Sequence, residues 1–193
     1  MSKTAGLLFF LGSSVVIFGI LIAEIFYPNY SVSLNMISNL GSSPPPSDIV
    51  KQPSASIFDW SMIIGGLLIL SGAFFQHKAR GHRFLKLTTA LMGLGAFGVG
   101  ILPASHFTPH IISALITFAA AGLSAVISAT VIKGPFRYIA FGLGIFSLIF
   151  LSLGIFMPQQ IVPILGRGGT ERLVAYPTLI WLAGYGAYLM ARK

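Results

Sequence analysis

The sequence predicts an all-α, polytopic membrane protein: one bundle of six transmembrane helices with both termini cytoplasmic. Three observations carry this reading. Of 193 residues, 55% are apolar, and the mean hydropathy is +0.87. Lys and Arg number 12 and Asp and Glu 4, so 8% of the chain is charged, against roughly 25% in soluble domains. Finally, six apolar segments approach or exceed the about 20 residues that a helix needs to cross roughly 30 Å of hydrocarbon. Helices, rather than barrel strands, fit these runs, because a barrel strand alternates polar and apolar residues.

The first span, about residues 5–27, follows Lys3. Its apolar run of about 22 residues is longer than a secretory signal core, so it reads as an uncleaved anchor. A long outer loop, 28–56, carries the glycosylation sequon Asn29-Tyr30-Ser31 and a Pro44-Pro45-Pro46 stretch that favours extended polyproline geometry. The second span, about 57–76, opens near Asp59, where the helix dipole favours an anion, and contains Gly65 and Gly66. Gly93, Gly95 and Gly98 in the third span, about 87–103, spell a dinucleotide-binding pattern. Lying mid-span with no following polar loop, they read as close helix packing.

Thr108-Pro109 supplies an N-cap and first residue for the fourth span, about 109–132, with Ala121, Ala125 and Ala129 at spacing four. Gly142 and Gly144 mark the packing face of the fifth, about 138–157. A second long outer loop, 158–172, ends in Gly166-Arg167-Gly168-Gly169, a flexible approach to the sixth span, about 173–191. Thr170 caps that helix, Glu171 complements its dipole, Ala183 and Ala187 pack it, and Pro177 kinks it. No internal repeat of the inverted-repeat transporter kind emerges.

Nine cations, Lys3, Lys78, Arg80, Arg83, Lys86, Lys133, Arg137, Arg192 and Lys193, fall at the termini and the 2–3 and 4–5 connections. Lys51, Arg167 and Arg172 share the other end with Glu24, Asp48, Asp59 and Glu171. The positive-inside rule then makes the termini cytoplasmic, in the cell (plasma) membrane. The net charge of +8 is thus an orientation signal rather than a nucleic-acid footprint. No cysteine is present, which removes thiolate metal sites, iron–sulfur ligation and disulfides.

The polar residues of the outer end make the candidate site: Ser38, Asn39, Asp59, His106, His110, Glu171 and Arg172. His106 and His110, four apart, are the pair for a divalent metal if there is one, though hydrogen bonding to neighbouring polar groups asks less of them. Haem has little support, since His77 and His82 lie at the opposite end from His106 and His110. No cofactor is expected. Glu24, one turn inside the first helix, is an intramembrane carboxylate whose expected partner is Arg172 or Arg167.

Tyr27-Pro28-Asn29-Tyr30-Ser31 followed by Ile37-Ser38-Asn39-Leu40-Gly41 resembles an uncharacterised family of archaeal and bacterial six-helix membrane proteins, a domain of unknown function. Pro103 before His110, then Gly168 with Glu171 and Arg172, then Ala175-Tyr176-Pro177 with Trp181, extend the likeness over essentially the whole chain. The resemblance implies the fold and no established reaction. Where that family carries an acid in its second motif this chain has Asn39, so the motif reads as loop architecture.

The leading functional reading is an outward-facing polar site that binds a lipid head group, a small anion or a partner membrane subunit, including another copy of the chain. The first alternative is a lipid-modifying hydrolase or transferase using His110 with Asp59 or Glu171 and Ser38. The second is a proton-coupled or small-solute transporter using Glu24 and Asp59.

Overall fold

The computed structural model describes residues 2–78 and 83–192. Arg80, His82 and Lys193, placed above among the residues of the termini end, lie outside the described residues, as do the side chains of His77 and Lys78. Six helices follow in order: α1 (Ser2–Ile25), α2 (Ser54–Lys78), α3 (Arg83–Ile101), α4 (Phe107–Ser128), α5 (Phe136–Phe156) and α6 (Pro158–Ala191). All six are long and apolar enough to cross a membrane, and no strand occurs among the described residues. Each helix packs on its neighbours in sequence, and α6 returns to α1, so the bundle closes into a ring. An even number of spans brings both termini to one end, called here the termini end; the opposite end is the loop end.

Backbones approach closely where glycines face each other. A Cβ on Gly6 would meet Gly186 O at 2.6 Å, one on Gly93 would meet Gly66 O at 2.9 Å, and one on Gly144 would meet Gly122 O at 2.8 Å. Gly95 and Gly98 face Ser113 and Thr117 of α4, so the three glycines of the third span are helix contacts on two sides. Two expected packing positions are corrected. Gly142 has open space around it, and Ala187 is exposed; Gly186 makes the contact instead, because it lies on the face turned to α1.

Two apolar clusters fill the bundle. The one nearer the termini holds Phe9, Ile69, Leu85, Trp181, Leu182 and Tyr185. Its polar atoms are paired: Trp181 Nε1 donates to Ser128 Oγ (2.9 Å), Gln76 Nε2 to Tyr185 Oη (2.8 Å), and Thr89 Oγ1 to Gln76 Oε1 (3.1 Å). The other, at the loop end, includes Ile37 and Leu40, so the first loop folds into the bundle. A 3₁₀ turn, Ile37–Leu40, anchors it there.

Several boundaries differ from those the hydropathy predicts. α2 starts at Ser54, which places Asp59 in the second turn and not at the start. α4 starts at Phe107 with His106 as the residue before it, not Thr108; a proline lacking its N–H, here Pro109, is tolerated anywhere in a first turn. The stretch around Pro44 folds back instead of extending, since Ser47 Oγ donates to Pro44 O (2.9 Å) and Ser43 N to Ile49 O (2.8 Å).

The largest difference concerns 158–172, expected as a loop and found helical. α6 is broken only at Gly166, with φ 74° and ψ 166°, and not at Pro177, which sits buried in helical backbone. Ser147 Oγ of α5 donates to Val174 O (2.8 Å), beside the Leu173 carbonyl that Pro177 leaves without its helical donor. Thr170 does not cap the second half either: its hydroxyl donates back to Gly166 O (2.8 Å). The cap is Ser33 O of the first loop, which accepts from Gly168 N (2.8 Å) and Gly169 N (3.3 Å).

Candidate functional site

The break in α6 sets Arg167, Glu171 and Arg172 at the loop end, and the first loop folds over them. Glu171 accepts from the backbone amides of Ile37 and Ser38, capping the 3₁₀ turn. Loop and helix thus cap each other: Ser33 closes the helix and Glu171 closes the turn. Asn39 Oδ1 completes the turn by accepting from Met36 N (2.9 Å). That bond needs an acceptor and no charge. Asn39→Asp is therefore expected to leave thermal stability almost unchanged, whereas Asn39→Leu, which orphans the amide, costs about 1 kcal/mol in the same melting assay.

Arg172 sits at the centre of the tie between loop and bundle. Its Nη1 donates to Val32 O (2.8 Å), Asn35 O (3.1 Å) and Gly168 O (3.1 Å), and its Nη2 to Glu24 Oε1 (2.6 Å) and Tyr30 Oη (2.7 Å). Tyr30 passes its own hydrogen to Met36 O (3.0 Å). Burial pushes the Tyr30 phenol up to about 12, so it remains a donor at neutral pH. Of the two partners expected for Glu24, Arg172 and Arg167, Arg172 is the one that pairs with it. The Nη1 and Nη2 donors of Arg172 are taken up by these partners; its Nε is buried and has no hydrogen-bond partner among the described residues.

His110 is buried in the first turn of α4, with Nδ1 2.6 Å from Leu102 O. A carbonyl only accepts, so Nδ1 carries the hydrogen and Nε2 of the neutral ring is an acceptor. His110, Ser38 and Glu171 line one cavity of ≈ 60 Å³ on the bundle axis, whose other walls are almost wholly apolar. Such a volume holds a few waters and no lipid.

The predicted cluster therefore divides. Ser38, His110 and Glu171 share the cavity; Arg172 does not, since adjacent residues of a helix point about 100° apart, and it turns to Glu24. Asn39 belongs to the turn. Asp59 stands against Gly41, where a Cβ would come within 2.5 Å of Oδ1, and that oxygen has no hydrogen-bond partner among the described residues. His106 is exposed and separate from buried His110. Among the described residues no three His, Asp or Glu side chains gather as a metal would require. Asn29 lies on an exposed turn with φ 58°, a conformation that Asn tolerates.

A second, larger space adjoins the cavity. A groove of ≈ 410 Å³ runs between α4, α5 and both halves of α6, with Ile111, Leu115, Phe150 and Ile155 along its walls. Ile111, Leu115 and Ile155 are exposed on the outside of the bundle. Arg167, Thr170 and Glu171 lie at its loop end, and Ala114, Phe118 and Glu171 are walls of both groove and cavity. Arg167 is absent from the predicted site, as is Tyr30. Each carried a signal: Arg167 is a cation at the end where cations are few, and Tyr30 falls in the first motif.

The model of a protein family, described as Protein of unknown function (DUF998), matches residues 10–188. No curated protein and no solved structure matches the chain.

Proposed function

Since the chain belongs to the DUF998 family, whose function is unknown, we propose from its geometry that it is a lipid-binding protein of the cell membrane. The hydrocarbon part of the lipid lies in the α4–α5–α6 groove, and its polar part meets the loop-end residues. The loop end faces outward and the termini face the cytoplasm, in line with the cation distribution of the sequence. One observation supports this most: the apolar groove, of a size that suits ligands, ends at the polar residues Arg167, Thr170 and Glu171 and shares Glu171 with the polar end of the cavity.

Filling the groove tests the reading. Gly154 lines it, and a Cβ built there meets the Thr170 methyl of the groove wall at a tight 3.3 Å and nothing else within 4 Å, so Gly154→Leu narrows the groove with a small shift of Thr170. Wild-type protein extracted in mild detergent is expected to retain lipid in native mass spectrometry, and Gly154→Leu to retain several-fold less at an unchanged melting temperature. Equal retention by the two proteins would end the proposal.

The His110 tautomer favours a second reading, acid–base chemistry on a lipid held in the adjoining groove, with which the small cavity shares Ala114, Phe118 and Glu171 as walls: Nε2 is an acceptor, and Ser38 and Glu171 line the same cavity. A fluorophosphonate probe that labels Ser38 in the wild type and not in His110→Gln would support it; absence of labelling in the wild type would count against it.

A further inference from the structure

We infer that the groove selects a phosphate-bearing anionic lipid, and that Arg167 is the residue which reads the phosphate. The inference rests on the lipid-binding reading above and names the head group for that same site. Arg167 follows directly on Gly166, whose φ of 74° and ψ of 166° break α6 and set the start of its second half at the groove's rim. It is exposed, and among the described residues it makes no ion pair and no side-chain hydrogen bond, in contrast to Arg172, whose donors are taken up by Glu24, Tyr30 and three carbonyls.

A guanidinium so placed has open donors at the depth where the apolar wall gives way to the polar end of the bundle. Below it lie Ile111, Leu115 and Ile155, a surface for a hydrocarbon chain. The sequence of surfaces, cation then apolar trough, is complementary to a lipid phosphate with the chain beneath it, and the planar fork of Arg matches phosphate oxygens in pairs. Free phosphate in water would meet only the cation and gain nothing from the trough. Glu171 does not oppose this: its carboxylate is turned to the amides of Ile37 and Ser38.

The test places a photoreactive amino acid at Ile155, on the groove wall, in protein reconstituted into nanodiscs. The discs hold equal amounts of phosphatidylglycerol and an uncharged glycosyl-diacylglycerol with the same chains, and the cross-linked lipid is identified by mass spectrometry. The expected result is an enrichment of the anionic lipid by roughly fivefold, the scale of one cation near a membrane surface. Arg167→Gln should bring the ratio to one, and Arg167→Lys, which keeps the charge and loses the planar fork, should give an enrichment between those of Arg167→Gln and the wild type. Equal cross-linking of the two lipids by the wild type, or an enrichment that survives Arg167→Gln, would overturn the phosphate assignment while leaving lipid binding intact. No cross-linked lipid at all would overturn both. Arg167 is exposed and, among the described residues, unpaired, so the variants keep the fold, and an unchanged melting temperature verifies it.

Discussion

Arg172→Met is expected to be the most destabilising single substitution at the loop end, at about 3–5 kcal/mol, because it strands a partly buried carboxylate without its counter-ion. Glu24 would lose its only ion-pair partner among the described residues, at 2.6 Å, while Val32, Asn35 and Gly168 would lose a shared donor. Loop and helix are held together by those bonds, so the damage should extend to the 3₁₀ turn and to Glu171. Arg172→Lys would not restore the wild type: a single ammonium offers three donors, against five bonds arranged around a planar fork.

A double-mutant cycle isolates the pair. Glu24→Gln with Arg172→Met should be less damaging than the sum of the two single changes by at least about 1 kcal/mol, since the neutral amide no longer needs a cation. Unfolding in mixed detergent micelles titrated with SDS gives the three free energies. A single Arg172→Met variant as stable as the wild type would show that the loop is held by other means.

The second large effect is expected at Gly166. Its φ of 74° and ψ of 166° fall in a region that only glycine occupies readily, and a Cβ there would overlap Ser33 O. That carbonyl is the one capping the second half of α6, so relieving the overlap means losing the cap. Strain and lost hydrogen bonds together should make Gly166→Ala about 3 kcal/mol less stable. Gly169→Ala is the control, since its Cβ would meet only Leu165 Cβ, at an ordinary 3.5 Å. Similar melting temperatures for the two variants would contradict the geometry of the break.

Gly166 also shows where a linear reading of hydropathy stops. Gly166-Arg167-Gly168-Gly169 has the composition of a flexible linker, yet it is a helix break fixed by contact with Ser33 and Asn35. Pro177, the stronger helix-breaking signal, stays in helical backbone, with the Ser147 hydroxyl of α5 bonded to the nearby Val174 carbonyl. At Gly166 the deciding atoms come from another element, far away in the chain. The candidate site divides in the same way: Ser38, His110 and Glu171, which residue type alone points to, share a cavity, while neighbouring Arg172 faces elsewhere.

What the sequence by itself determined is the set of six apolar spans and, from their even number, the shared end of the termini. Those follow from a local requirement, that each run of backbone entering hydrocarbon satisfy its own hydrogen bonds as a helix. Tertiary structure alone decided that Arg172 pairs with Glu24, 148 residues away, that Glu171 caps a turn 134 residues away, and that Arg167 is left with open donors beside a groove. The reason is physical: a few long polar side chains in a largely apolar bundle each take whichever partners the packing of the helices brings within a hydrogen-bond length, and no local pattern encodes that proximity.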